Sequence, residues 1–145
     1  MKFIKSCYDD NTGVSVVIMQ HLGKKFFGLA SLHPDDKENA SNYAGCEYAE
    51  IRATIKALKY ERRLAKKRAD AALDFVKCCE GYAKFDKEND AAKVMYRQLN
   101  QRIKRVNDIT DEINQLLNDL DKRIHRRSIV TNAIKMKKEM SKEDK

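Results

Sequence analysis

Residues 48–79 read YAEIRATIKALKYERRLAKKRADAALDFVKCC, and this stretch decides the fold. Tyr48, Ile51, Ile55, Leu58, Ala65, Ala69, Ala72, Val76 and Cys79 recur at spacings of three and four, broken only by Arg62. Neither proline nor glycine interrupts the series, so the pattern is a heptad seam on one long α-helix. A helix over residues 44–80 would be about 55 Å long at 1.5 Å per residue, too long for the interior of a small globule. It requires a partner helix.

The chain supplies that partner downstream. Ala92, Tyr96, Leu99, Ile103, Val106, Thr110, Ile113, Leu117, Leu120 and Ile124 repeat the spacing and predict a second helix over residues 86–138. Gly81 is expected to close the first helix in the left-handed conformation. The short connection after it makes the helices antiparallel. With equal rise on both, residues whose numbers add to roughly 166 face each other, which sets Arg62 opposite Ile103 and Lys104. A partial second stripe (Tyr60, Leu64, Ala71 and Phe75, then Met95, Ile109 and Leu116) exceeds what one hairpin can bury. That surplus argues for a homo-oligomer, at least a dimer.

Upstream lie short β-rich runs at Lys2–Tyr8, Val14–Gln20 and Lys25–Leu32, separated by turn signals at residues 9–13 and at His21-Leu22-Gly23-Lys24. They predict an antiparallel sheet of three to four strands within residues 1–36. Val14, Val16 and Ile18 line one face while Val17 and Met19 line the other, so both faces need cover. This is a second argument for self-association. Pro34 keeps His33 extended in a polar loop, and Ser41 or Asn42 is the expected N-cap of the first helix. The fold class is therefore α+β: an N-terminal antiparallel sheet followed by a long antiparallel two-helix coiled-coil hairpin.

Composition bounds the function. Over 145 residues, 36% are charged and 42% hydrophobic, which with a heptad repeat describes long helices rather than disorder. The net charge of +8 points to an anionic partner, although Lys and Arg also simply solvate long helices. Cys7, Cys46, Cys78 and Cys79 form no CxxC pair and read as reduced thiols of a cytoplasmic protein. A zinc site would have to recruit His21, His33 or His125 from scattered places. No run reaches the roughly 18 apolar residues of a membrane span, and the N-terminus opens with a strand pattern rather than a signal peptide. A Gly-rich phosphate loop, an HExxH pair and an elbow serine are all missing, so the expectation is a protein that is not an enzyme and carries no cofactor.

The informative feature is a belt of cations. Lys59, Arg62, Arg63, Lys66, Lys67 and Arg68 on the first helix are opposed only by Glu61, and Arg97, Arg102, Lys104 and Arg105 on the second have no acid between them. The facing rule sets the two groups across from one another. Cations crowded into a half-buried seam repel, so an anion should offset them. Glu61 and Asp108 could do so as structure; a phosphate or pyrophosphate, which Arg grips bidentately, could do so as ligand. The candidates are Arg52, Arg62, Arg102 and Arg105 for phosphates, Tyr82 or Phe85 for a base, and Asn89 and Asp108 for base or ribose edges. On sequence alone the better reading of Tyr82 and Phe85 is as plugs for the end of the hairpin core. Residues 122–138 add Lys122, Arg123, His125, Arg126, Arg127, Lys135, Lys137 and Lys138 without an acid. Such a tail suits nucleic acid, a membrane surface or plain solvation, and Ile129, Val130, Ile134 and Met136 suit a partner helix equally.

The run Phe26-Phe27-Gly28-Leu29-Ala30 through His33-Pro34-Asp35-Asp36, followed by Ala44-Gly45-Cys46-Glu47-Tyr48-Ala49-Glu50-Ile51-Arg52-Ala53, resembles a small phage family, the Thoeris anti-defence proteins of the first type. The layout of sheet, motif and two long helices is similar over nearly the whole chain. The resemblance implies a sponge: an oligomer, dimer or hexamer, that binds a cyclic ADP-ribose isomer made by bacterial TIR-domain enzymes without cleaving it. It implies that some members also hold cyclic trinucleotides at a separate site. The competing reading is a basic coiled-coil phage protein that binds nucleic acid. A third is a structural adaptor in which every cation pairs with an acid.

Overall fold

The computed structural model of the chain describes residues 1–31 and 42–143. The expectations for Leu32, His33, Pro34 and Ser41 lie outside them. Five elements follow in order: β1 (Lys2–Asp9), β2 (Val14–His21), β3 (Lys24–Ser31), α1 (Asn42–Glu80) and α2 (Asp90–Glu143). The chain is thus a three-stranded antiparallel sheet followed by two long helices, an α+β arrangement with a helical hairpin. It divides into two compact units, Met1–Ala57 with Gln115–Lys145, and Leu58–Asn114.

In the first unit the strand order is β1-β2-β3. The link between β2 and β3 is a two-residue loop with φ of 52° at Leu22 and 76° at Gly23. Two consecutive positive φ values define a type I′ turn, whose twist matches that of the flanking strands. The link between β1 and β2 is held by Asp9, whose carboxylate accepts from the Asn11 N–H at 3.0 Å and the Thr12 hydroxyl at 2.9 Å. These two bonds hold the Asp9 carboxyl below its ordinary pKa.

One sheet face carries Val17, Met19 and Ala30 against Ala49 and Ala53 of α1, the last two wholly buried. Alanine spacing explains how close α1 lies. A β carbon at Gly28 would overlap the Ala49 carbonyl and come within 2.7 Å of the Ala53 nitrogen. A β carbon at Gly45 would likewise meet the Ser15 hydroxyl, which is buried without a hydrogen-bond partner. The other face presents half-buried Val14, Val16 and Ile18, with Phe27 and Leu29 about half exposed.

In the second unit α1 and α2 pack antiparallel across the connection at residues 81–89. Leu58, Ala65, Ala69 and Val76 are buried from α1, and Ala92, Leu99, Ile109 and Ile113 from α2. The seam predicted on α1 is buried or half-buried throughout. On α2 it holds in part. Ile109, placed on the second stripe by the heptad reading, is fully buried, while Ile103 of the predicted seam is 42% exposed. Ala92, Leu99, Val106, Ile113 and Leu120 keep the seven-residue repeat as buried or half-buried positions, and the second line of the seam sits one residue earlier than predicted, on Met95, Ile109 and Leu116 rather than on Ile103 and Leu117. Gly81 also departs from expectation: only Gly13 and Gly23 among the described glycines have positive φ. The helix instead runs out through a bond from the Gly81 N–H to the Lys77 carbonyl, then a tighter one from Tyr82 to Cys79. α2 begins at Asp90 rather than residue 86 and extends to Glu143.

Candidate functional site

Within the second unit, α1 and α2 enclose a groove of about 570 Å³. Lys59, Arg62, Arg63 and Lys66 reach it from α1, and Asn107 and Thr110 from α2. The spacing explains the convergence: positions three or four apart share one helix face, so these cations stand along a single stripe. Asp70 is the one acid in the lining.

Half-buried Arg62 is the centre of the groove. Its Nη1 donates to the Thr110 hydroxyl at 3.5 Å, and that hydroxyl in turn donates to the Val106 carbonyl at 3.0 Å. A neutral hydroxyl at this length does nothing to balance the charge. Arg63 stacks on the ring of Tyr60 with 5.4 Å between its guanidinium carbon and the ring centroid, a contact that leaves its fork available. The groove therefore offers two forks, two ammonium groups and neutral hydrogen-bonding groups, which is the chemistry of a phosphate-bearing ligand.

The other sequence candidates are distributed elsewhere. Arg105 is ion-paired with Glu61, whose hydrogen bond and charge, aided by Glu112 and Asp108, raise the Arg105 pKa. This is the structural arrangement weighed for Glu61, and Asp108 adds to it through its charge. Arg102 donates to the Arg68 carbonyl at 3.3 Å and lines a separate apolar groove of about 300 Å³ with Phe75, Val76 and Leu99. Phe85 meets Tyr96 edge to face at 6.4 Å, as a plug for the hairpin end would. The Tyr82 ring is 77% exposed. Asn89 caps α2, its side-chain oxygen accepting from the Ala91 N–H at 2.9 Å.

Arg52 belongs to the first unit and donates to the Leu29 carbonyl at 2.7 Å. That unit holds its own groove of about 550 Å³, lined by Glu47, Tyr48, Lys122, Arg123 and Arg126 among others. There Arg123 pairs with Glu47, and the Tyr48 hydroxyl donates to the Arg123 carbonyl at 3.1 Å.

Of the eight candidates, Arg62 alone lies in the cationic groove. Lys59, Arg63 and Lys66 were visible as part of the belt without being singled out, and their shared face is the signal that selects them. Asn107 and Thr110 gave no signal, because neutral polar residues are unremarkable on a helix. Among the described residues, no cluster of three His, Cys, Asp or Glu is placed to hold a metal, and no helix is long and apolar enough to cross a membrane. No family model, curated protein or solved structure matches the chain.

Proposed function

We propose that this protein is a non-catalytic sponge that sequesters a small di-anionic cyclic nucleotide, of the cyclic ADP-ribose-isomer class, in the cytoplasm of an infected bacterium. The observation that carries this reading is the half-buried Arg62 with only a neutral hydroxyl against it, flanked by Lys59, Arg63 and Lys66. A half-buried guanidinium with no carboxylate against it keeps its paired donors for an anion, and a phosphate accepts from such a fork bidentately. The resemblance of residues 26–53 to the Thoeris anti-defence proteins supplies the class of nucleotide, and the self-association argued from surplus apolar surface accords with a sponge built as an oligomer. Binding without cleavage accords with a lining in which cations, an amide and a hydroxyl outnumber a single acid, Asp70.

The test is equilibrium binding followed by recovery. The full chain should retain a cyclic ADP-ribose isomer through dialysis and release it chemically unchanged on heating. Failure to retain such isomers or cyclic trinucleotides far above micromolar concentration, with no rise in melting temperature, would remove the proposal.

A second reading has its own observation. Exposed Lys122, Arg126, Lys135, Lys137 and Lys138 lie on α2 beyond the helix midpoint, with no acid between Asp121 and Glu139. This suits a polynucleotide backbone, and it predicts affinity that falls steeply with salt and little sequence preference. Glu47, Glu50, Asp108, Asp111 and Glu112 interrupt any longer cationic stripe.

A further inference from the structure

The two edges of the sheet differ, and the difference identifies a docking surface. In a hairpin closed by a two-residue type I′ turn, the residues flanking the turn form a hydrogen-bonded pair, and pairs alternate from there. His21 and Lys24 flank the turn. Ile18 with Phe27 and Val16 with Leu29 are then non-hydrogen-bonded pairs, so Phe27 and Leu29 aim their backbone groups at the open edge of β3. Both carbonyls are taken there: Lys56 donates to Phe27 at 2.9 Å and Arg52 to Leu29 at 2.7 Å. Two cations of α1 close that edge.

The same alternation fixes β1. Val16 and Ile18 spend their backbone groups on β1, against Cys7 and Lys5. Ser6 and Tyr8 consequently point theirs outward. Residues Lys2 to Cys7 are all exposed, and no described residue covers this edge.

We propose that the β1 edge pairs antiparallel with β1 of a second copy of this chain, about a two-fold axis through Cys7. In this register Ser6 of each copy faces Tyr8 of the other, and their outward N–H and C=O groups form four hydrogen bonds between the chains. Lys5 of each copy stands opposite Asp9 of the other, giving two opposite-charge cross-strand pairs. A two-fold through Ser6 instead sets Lys5 against Cys7 and Asp9 against Phe3; one through Tyr8 sets Asp9 against Cys7. Neither matches charges at these positions. Closure at two copies follows from the capped β3 edge and from the irregularity between Phe3 and Lys5, which ends regular pairing at the far end of β1. The surface is separate from the ligand groove, so its failure leaves ligand binding through Arg62 to be tested on its own.

Amide hydrogen exchange on the unaltered protein reads the edge directly. Ser6 and Tyr8 amides should be protected at least tenfold at high protein concentration and lose that protection on dilution through the sedimentation midpoint of the dimer. Exchange at the unprotected rate in a sample that sediments as a dimer, or as a monomer at several hundred micromolar, overturns the proposal. A chain with Cys46, Cys78 and Cys79 changed to Ser adds a second reading, because non-hydrogen-bonded antiparallel partners lie about 4.5 Å apart at Cα, within disulfide reach. Under a mild thiol oxidant it should form a covalent dimer through Cys7, and Lys5→Glu should slow that reaction at least tenfold. Cross-linking that Lys5→Glu does not slow contradicts the register.

Discussion

The Ala49 carbonyl lies against the α carbon of Gly28, so closely that any side chain there would displace helix α1 from the sheet. The constraint is backbone against backbone, and no rotamer change relieves it. Gly28→Ala should therefore destabilise the first unit by about 1–3 kcal/mol, the usual cost of overpacking. Urea denaturation checks this: the midpoint should fall while the slope of the transition stays constant.

The hairpin turn offers the opposite sign. Leu22 holds φ at 52° and is 55% exposed, a conformation that costs a leucine and that burial offsets only in part. Leu22→Asn should stabilise the protein by about 1 kcal/mol, since Asn tolerates the left-handed region. A rise in melting temperature tests it.

Asn89 separates structure from function. As the cap of α2 its replacement by Ala should cost about 1 kcal/mol of stability and leave ligand affinity unchanged within twofold. Parallel thermal melts and binding titrations of Asn89→Ala decide between that role and the base-reading role the sequence had offered.

Two groups make stability depend on pH in opposite directions. The Tyr96 phenol is raised above its ordinary value of 10.0 by desolvation and by its hydrogen bond to Glu80, so the folded state holds its proton longer. Its contribution is complete below pH 10 and is lost as pH rises through the raised value; Tyr96→Phe should erase that alkaline component of the melting curve. Asp9 is lowered from 3.8, so its contribution is present above that value and is lost as pH falls through the lowered one. Chemical-shift titration of the Asp9 carboxyl should report a midpoint below 3.8.

Much of the architecture was legible in residues 48–79 because a seam kept at three–four spacing admits little but a paired helix. Ile109 falls beside the stripe that the spacing selects, because Ile109 and Thr110 fit a three–four series between Val106 and Ile113 equally well. The sheet-facing line of Ala49 and Ala53 was hidden by its polar-looking neighbourhood of Glu50, Arg52 and Thr54. The sequence offers Arg52 as a phosphate ligand, and nothing in its neighbours reveals that the Leu29 carbonyl of β3 stands within reach. Side chains bound to main-chain carbonyls of distant elements carry no local signature. Charge spacing was the better guide, and it led to the groove through Arg62.

That groove is the centre of the account, and native mass spectrometry tests it most directly. The protein mixed with a cyclic ADP-ribose isomer should carry the intact mass of one nucleotide per chain, and Arg62→Glu should lose it while Arg102→Glu, which alters a different groove, should retain it. Equal retention by the unaltered protein and by Arg62→Glu, or a bound mass corresponding to a cleaved nucleotide, would contradict the account.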